Sequence, residues 1–259
     1  MRLLHNTQPE VERDTMWLGI RIDFSDYIRE MLKRKCYSQL YDYYWGIRFS
    51  KLSLLRDIGV DEIIDPIVDR RISVYALYLP FIKTFDESKL DLIEKTAIMA
   101  DELKTKLIVY PVTFRHLKKL KEEALLEKLF KLISSYYLKL CFNVKCNKQR
   151  INKLLNLVSD FTGGVFYFSL ESLANSSKER MLEKVDSVFG LLKIIHIDGK
   201  ELSFLMEKPE HLLKYYDLIN HLVWRGFEGF IAIDYYNEKS QKVLSILEQR
   251  IKLAQGRRI

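Results

Sequence analysis

The residues able to do chemistry in this chain gather where apolar runs stop. His196 and Asp198 close the run Leu191-Leu-Lys-Ile-Ile-His-Ile-Asp-Gly-Lys200, which reads as a buried strand leaving a core and ending at a polar tip. Arg48 lies on the run from Trp45 to Ser50, and Tyr78 stands near the end of the run from Arg71 to Leu79. Arg115 and His116 follow Lys106 to Pro111, and Tyr235 and Tyr236 follow Phe230 to Ile233. Arginine among several tyrosines can bind a phosphate and stack on a sugar or base. The competing reading is that strand-end tyrosines plug the top of a barrel. Other chemistries lack their motifs. There is no HExxH or HxxxH, so His5, His211 and His221 read as loop or helix-face residues. Ser169 and Ser172 lack a GxSxG elbow, and neither a phosphate-binding P-loop nor GxGxxG is present.

These residues need elements to position them. Met16 to Ile22 reads as a strand, and Ser25 can cap a helix carrying Tyr27, Ile28, Met31 and Leu32 at helical spacing. From Trp45 the pattern becomes regular. Strands are expected at 45–50, 60–64, 71–79, 106–110, 137–143, 165–168, 191–198 and 230–233. Helices are expected between most of them, including 86–103, 115–135, 148–160 and 177–188. Pro209 and Gly226 bracket another, and Asn237 and Gly256 the last. Strands buried on both faces read as continuous apolar runs, and helical crossovers impose parallel pairing. Eight such units predict a closed (β/α)8 TIM barrel over 45–259, with residues 1–44 as an N-terminal helical extension. The alternative is that Met16 to Ile22 is the first barrel strand, with a shift downstream.

Composition narrows the class. Hydrophobic residues make up 48% of 259, enough for a sizeable core, and net charge is +7 with pI about 9.1. Much of the positive charge falls on helices of alternating sign, such as Arg115 to Lys131, which favours a solvated surface over a nucleic-acid footprint. Cys36, Cys141 and Cys146 form no CxxC, and the N-terminus has no apolar signal region, so a reducing cytoplasm is expected. No run is long enough to span a bilayer. Few glycines and prolines with many Lys, Glu, Ile and Tyr resemble a thermophile's composition.

The order of the units resembles the xylose isomerase-like barrel superfamily, which includes sugar isomerases, epimerases and endonuclease IV. Gly59-Val-Asp-Glu-Ile-Ile64 is similar to the motif that ends their second strand with Glu, and Ala97 to Pro111 is similar to their helix-strand unit before the fourth strand's end. Ile195-His-Ile-Asp198 resembles their seventh strand and Gly226 to Asp234 their eighth. The resemblance implies a divalent metal held by carboxylates and a His at the C-terminal ends of late strands, with sugar hydroxyls or phosphate bound there. Carried over by position, the second-strand Glu falls at Ile64 beside Asp65, the third-strand His at Tyr78, and the fifth-strand Glu at Phe142 or, one register on, Asn143. The sixth-strand Asp and His fall at Ser169 and Ser172, with Glu171 between them. His196 and Asp234 alone keep a ligand type, with Glu171 a candidate acid/base or third ligand and Asn143 a weak fourth.

Catalytic zinc uses three protein ligands, whereas magnesium or manganese manages with fewer. The thin donor set therefore favours no cofactor over Mg, Mn or Zn. The leading reading is a divergent, non-catalytic relative of sugar isomerases and epimerases with a largely dismantled metal site, taking a sugar-type ligand or none. Arg48, Tyr78, Arg115 and Tyr235 are the candidate ligand contacts. The alternatives are a nucleic-acid-binding relative of endonuclease IV, an active sugar-phosphate isomerase or epimerase with a remodelled metal site, and a complex-forming protein that oligomerises through its N-terminal segment.

Overall fold

The computed structural model describes residues 16–25, 28, 32, 39–82, 87–122, 124–144, 148–159, 166–171, 173, 176–198, 210–234 and 238–256. Eight parallel strands close a barrel in sequence order: β1 (Met16–Asp23), β2 (Tyr44–Arg48), β3 (Val74–Tyr78), β4 (Leu107–Pro111), β5 (Lys139–Val144), β6 (Phe166–Leu170), β7 (Leu192–Ile197) and β8 (Gly229–Asp234). Around it lie α1 (Leu52–Asp57), α2 (Val60–Asp69), α3 (Glu87–Glu102), α4 (Phe114–Glu122), α5 (Leu125–Ser135), α6 (Lys148–Ser159), α7 (Lys178–Asp186), α8 (Glu210–Trp224) and α9 (Glu238–Ala254). Most of the core is the shell between barrel and helices, where Trp45, Phe49, Phe142, Phe168 and Tyr215 are buried. A second cluster, including Tyr75, Val109, Cys141, Ile194 and Ala232, fills the barrel itself. No described helix is long and apolar enough to cross a membrane.

The barrel begins earlier than its regular pattern suggests. Met16–Asp23 is the first strand, paired with β2 on one side and β8 on the other, so this part of the expected N-terminal extension belongs to the barrel. Trp45 to Ser50 accordingly supplies the second strand, and Arg48 moves from first to second. The expected strand at 60–64 is a helix. Its apolar residues Val60, Ile63, Ile64 and Ile67 have i, i+3, i+4, i+7 spacing, and the Gly59 N–H donates to the Glu62 side chain at 3.3 Å to start it. The likeness of Gly59 to Ile64 to a second-strand end therefore fails, and neither Ile64 nor Asp65 marks a site position. Most of the helix expected after Ser25 lies outside the described residues, although the Ile28 N–H does donate to Ser25 Oγ at 3.4 Å.

The single helix expected at 115–135 is two. Leu117 and Leu120 face the core in the first, and Leu126, Leu129, Phe130 and Ile133 in the second. On one straight helix at about 100° per residue these two stripes would lie roughly 160° apart. A break at Ala124, which takes a left-handed φ of 54°, turns the second stripe back onto the barrel.

Glycine makes room inside the barrel at Gly46 on β2. A Cβ there would sit 2.7 Å from a ring carbon of Tyr78 and closer still to Tyr75, both fully enclosed. Overpacking of this kind costs about 1–3 kcal/mol. Gly46→Ala is therefore expected to lower unfolding free energy by about that amount in urea titrations, with little change in slope.

Candidate functional site

The inward-facing rows of the strands run past small or apolar groups and end on polar ones at the C-terminal mouth. On β1 the row passes Gly19 and reaches Arg21, and on β2 it passes Gly46 and reaches Arg48. On β5, β7 and β8 it passes Cys141, Ile194 and Ala232 and reaches Asn143, His196 and Asp234. On β6 it passes Ser169 and reaches Glu171 just beyond the strand. A pairing shift between Trp45 and Gly46 lets both Tyr75 and Tyr78 of β3 enter the barrel.

Arg21 is the hub of this mouth, and only 5% of it is exposed. Its Nε and Nη2 donate to the two oxygens of Asp234, each at 2.7 Å, a fork-to-fork pair. Its Nη1 donates to Glu171 Oε1, and the guanidinium lies 5.5 Å from the centre of the Tyr78 ring. Burial pulls the Arg21 pKa down, but the Asp234 charge and hydrogen bond, together with Tyr78 and Tyr75, more than offset that, leaving it above the ordinary arginine value. Glu171 Oε1 also accepts from Asn143 Nδ2 at 2.7 Å, and Ser169 Oγ reaches Asn143 Oδ1 at 3.4 Å. A continuous polar chain thus runs Ser169, Asn143, Glu171, Arg21, Asp234.

A second chain lies deeper. Tyr75 and Tyr78 hydroxyls are 3.0 Å apart, and Tyr78 Oη is 3.2 Å from His196 Nε2. Burial is the main cause that raises both tyrosine pKa values, so both stay neutral at physiological pH. Nearer solvent, Arg48 Nη2 donates to Asp23 Oδ2 at 2.7 Å. Both ion pairs join residues that are register partners: Arg21 sits opposite Asp234 across β1 and β8, and Asp23 opposite Arg48 across β1 and β2.

Above these groups opens a cavity of about 670 Å³. Arg21, Arg48, Tyr78, Asn143 and Glu171 form its floor side, and Phe81, Phe114, Arg115 and Lys153 its outer wall. Among the described residues, neither Arg115 nor Lys153 is paired with a carboxylate.

Measured against the expected residues, the structure brings Arg48, Tyr78, Arg115, Asn143 and Glu171 to one cavity. His196 lies beneath Tyr78, and Asp234 is held by Arg21, neither lining the cavity. At the fifth strand the polar register is the one that faces the mouth: Phe142 turns outward onto Phe130 and Phe166. His116 turns away too, its Nε2 2.7 Å from Tyr110 Oη in the core, and Asp198 is exposed. Tyr235, Tyr236 and Ser172 lie outside the described residues. Arg21, Asp23 and Lys153 were not anticipated. A lone arginine two residues beyond a glycine, in the otherwise apolar run Met16 to Ile22, was the available signal.

No protein-family model matches the chain, and no curated protein sequence matches it. Solved structures do. The 3-keto-D-glucoside 4-epimerase YcjR from E. coli, in its apo form, aligns with a TM-score of 0.65 at 14% identity, covering 91% of this chain and 99% of that one. A D-tagatose 3-epimerase-like protein gives 0.66 at 12% identity, covering 93% and 99%. A xylose isomerase domain protein from Planctomyces limnophilus gives 0.62 at 10% identity, covering 93% and 99%.

The chain has the fold of the xylose isomerase-like barrels. The divalent ion that the resemblance to this superfamily implies does not fit the residues present. Both oxygens of Asp234 and one of Glu171 are engaged by a guanidinium, which would hold a cation off by charge and by volume. His196 Nε2 is turned to Tyr78. Among the described residues, no three His, Cys, Asp or Glu side chains come together as a metal site.

Removing Arg21 strands two carboxylates whose side chains are 6% and 14% exposed. Breaking a buried pair in this way costs about 3–5 kcal/mol. Arg21→Met is expected to lose about that much in chemical denaturation, whereas Arg48→Met, which breaks a half-exposed pair, should lose no more than about 1 kcal/mol.

Proposed function

We propose that this protein binds a small, polyhydroxylated, anionic molecule of the sugar-phosphate kind in the barrel mouth, without a divalent ion, and that it does not catalyse metal-dependent isomerisation. The observation that carries the reading is the Arg21 guanidinium seated between Glu171 and Asp234. In a metal-dependent isomerase the ion polarises a carbonyl while a carboxylate moves a proton between carbons. Here the two acids face a fixed cation, and Arg21 Nη1 and Asn143 Nδ2 both donate to Glu171 Oε1, an arrangement suited to holding a carboxylate rather than to moving its proton.

Binding remains well served. Arg115 and Lys153 on the outer wall offer charge to a phosphate. Phe81 and Phe114 offer faces to the apolar side of a sugar ring, and Asn143 offers a polar contact on the floor. The structural neighbours named as sugar epimerases lend the ligand class its plausibility.

Calorimetry with fructose 6-phosphate and fructose, each with and without EDTA, tests the reading. The phosphorylated sugar should bind more tightly, with no effect of chelation. Arg115→Ala/Lys153→Ala should weaken it by about tenfold or more while leaving binding of the neutral sugar unchanged. Sugar turnover that vanishes on chelation would overturn the proposal. Tight, steeply salt-dependent binding to DNA with no response to sugars would favour the nucleic-acid alternative.

A further inference from the structure

We infer that Arg21 is a resident substitute for a divalent cation, and that this one side chain keeps the mouth from being a manganese- or magnesium-type site. The inference concerns the cation and not the ligand, so it stands whether or not a sugar phosphate binds.

Four observations carry it. The guanidinium receives carboxylates on two of its edges, Asp234 along the Nε–Nη2 edge and Glu171 at Nη1, so the acids converge on its charge from different strands. The group is buried with them, its side chain only 4% exposed, so its charge compensates theirs at short range with little screening. Asp234 ends β8 and Glu171 directly follows β6, and both strands are hydrogen-bonded to β7 in the closed sheet, so the spacing of the strands that carry the acids does not depend on the length of the Arg21 side chain. Finally, deleting the arginine removes a positive charge from beside two buried carboxylates, and a divalent ion would put positive charge back between them.

The donors left behind suit a hard ion. Glu171, Asp234 and the amide oxygen of Asn143, after its amide turns over, are oxygen ligands, and magnesium or manganese binds through one or two carboxylates while keeping several waters. The space given up by the guanidinium would hold those waters. Zinc is less well matched, since it prefers three protein ligands with nitrogen or sulfur among them, and His196 is held on Tyr78.

The test is a titration of Mn²⁺ into the full chain, followed by paramagnetic resonance of the free ion and by thermal unfolding. Wild type and Arg21→Lys, which keeps a cation, should show no specific binding at the mouth. Arg21→Ser should bind one Mn²⁺ at least about tenfold more tightly than wild type. Its unfolding midpoint should rise by roughly 5 °C at saturating ion, because a ligand that binds only the folded state stabilises it by mass action. Should Arg21→Ser fail to fold alone, Mn²⁺ is expected to restore folding. Arg21→Ser/Glu171→Gln, with less buried charge, should fold and lose the ion. Two results overturn the inference: wild type binding Mn²⁺ as tightly as Arg21→Ser, or Arg21→Ser neither binding nor being rescued while the double variant folds.

Discussion

The mouth of this barrel is organised by one buried cation. Arg21 reaches inward from the first strand and joins Asp234 of the last strand and Glu171 from the end of the sixth, while its guanidinium carbon stands over the Tyr78 ring of the third. Desolvating three charges is expensive, and such a group is tolerated only where geometry satisfies nearly every donor and acceptor. The fork-to-fork contact with Asp234 and the Asn143 bond to Glu171 supply that geometry. Arrangements of this sort add little net stability over apolar packing. Their effect is to penalise every alternative in which a partner is missing.

That penalty falls where a barrel needs it. Closing eight strands requires the first and last to meet in one register, and a slip of one residue would turn every side chain to the other face. Arg21 and Asp234 are register partners at that seam, and Asp23 and Arg48 are partners at the next. Charge pairing therefore reinforces the apolar alternation at the point of closure. The same residues set the character of the cavity: the arginines of the floor, Arg21 and Arg48, are paired with carboxylates, whereas Arg115 and Lys153 on the outer wall are not, among the described residues.

Much of the fold was legible because parallel strands buried on both faces leave apolar runs that end abruptly, as at Tyr78, Pro111 and His196. The errors came where a short run is ambiguous between periods. Val60 to Ile64 holds too few residues to show its helical spacing until Ile67 is included, and taking it as a strand displaced Met16–Asp23 from the barrel. The site suffered from the same shift. Arg48 and Tyr78 were read off strand runs, and Glu171 and Asn143 from the resemblance to the barrel superfamily; the structure places all four at one cavity, and Phe142 against Asn143 was resolved only by which one faces inward. Arg21 escaped notice because its partners lie 150 and 213 residues away, and no local pattern shows that a lone arginine will meet two acids across a closed sheet.

Anomalous diffraction at the manganese edge, from crystals of the wild-type protein soaked in MnCl₂, addresses the central claim most directly. The account predicts no anomalous peak at the mouth and continuous density joining the Arg21 fork to Asp234 and Glu171. A strong peak bonded to those carboxylates, with the guanidinium turned aside, would contradict it.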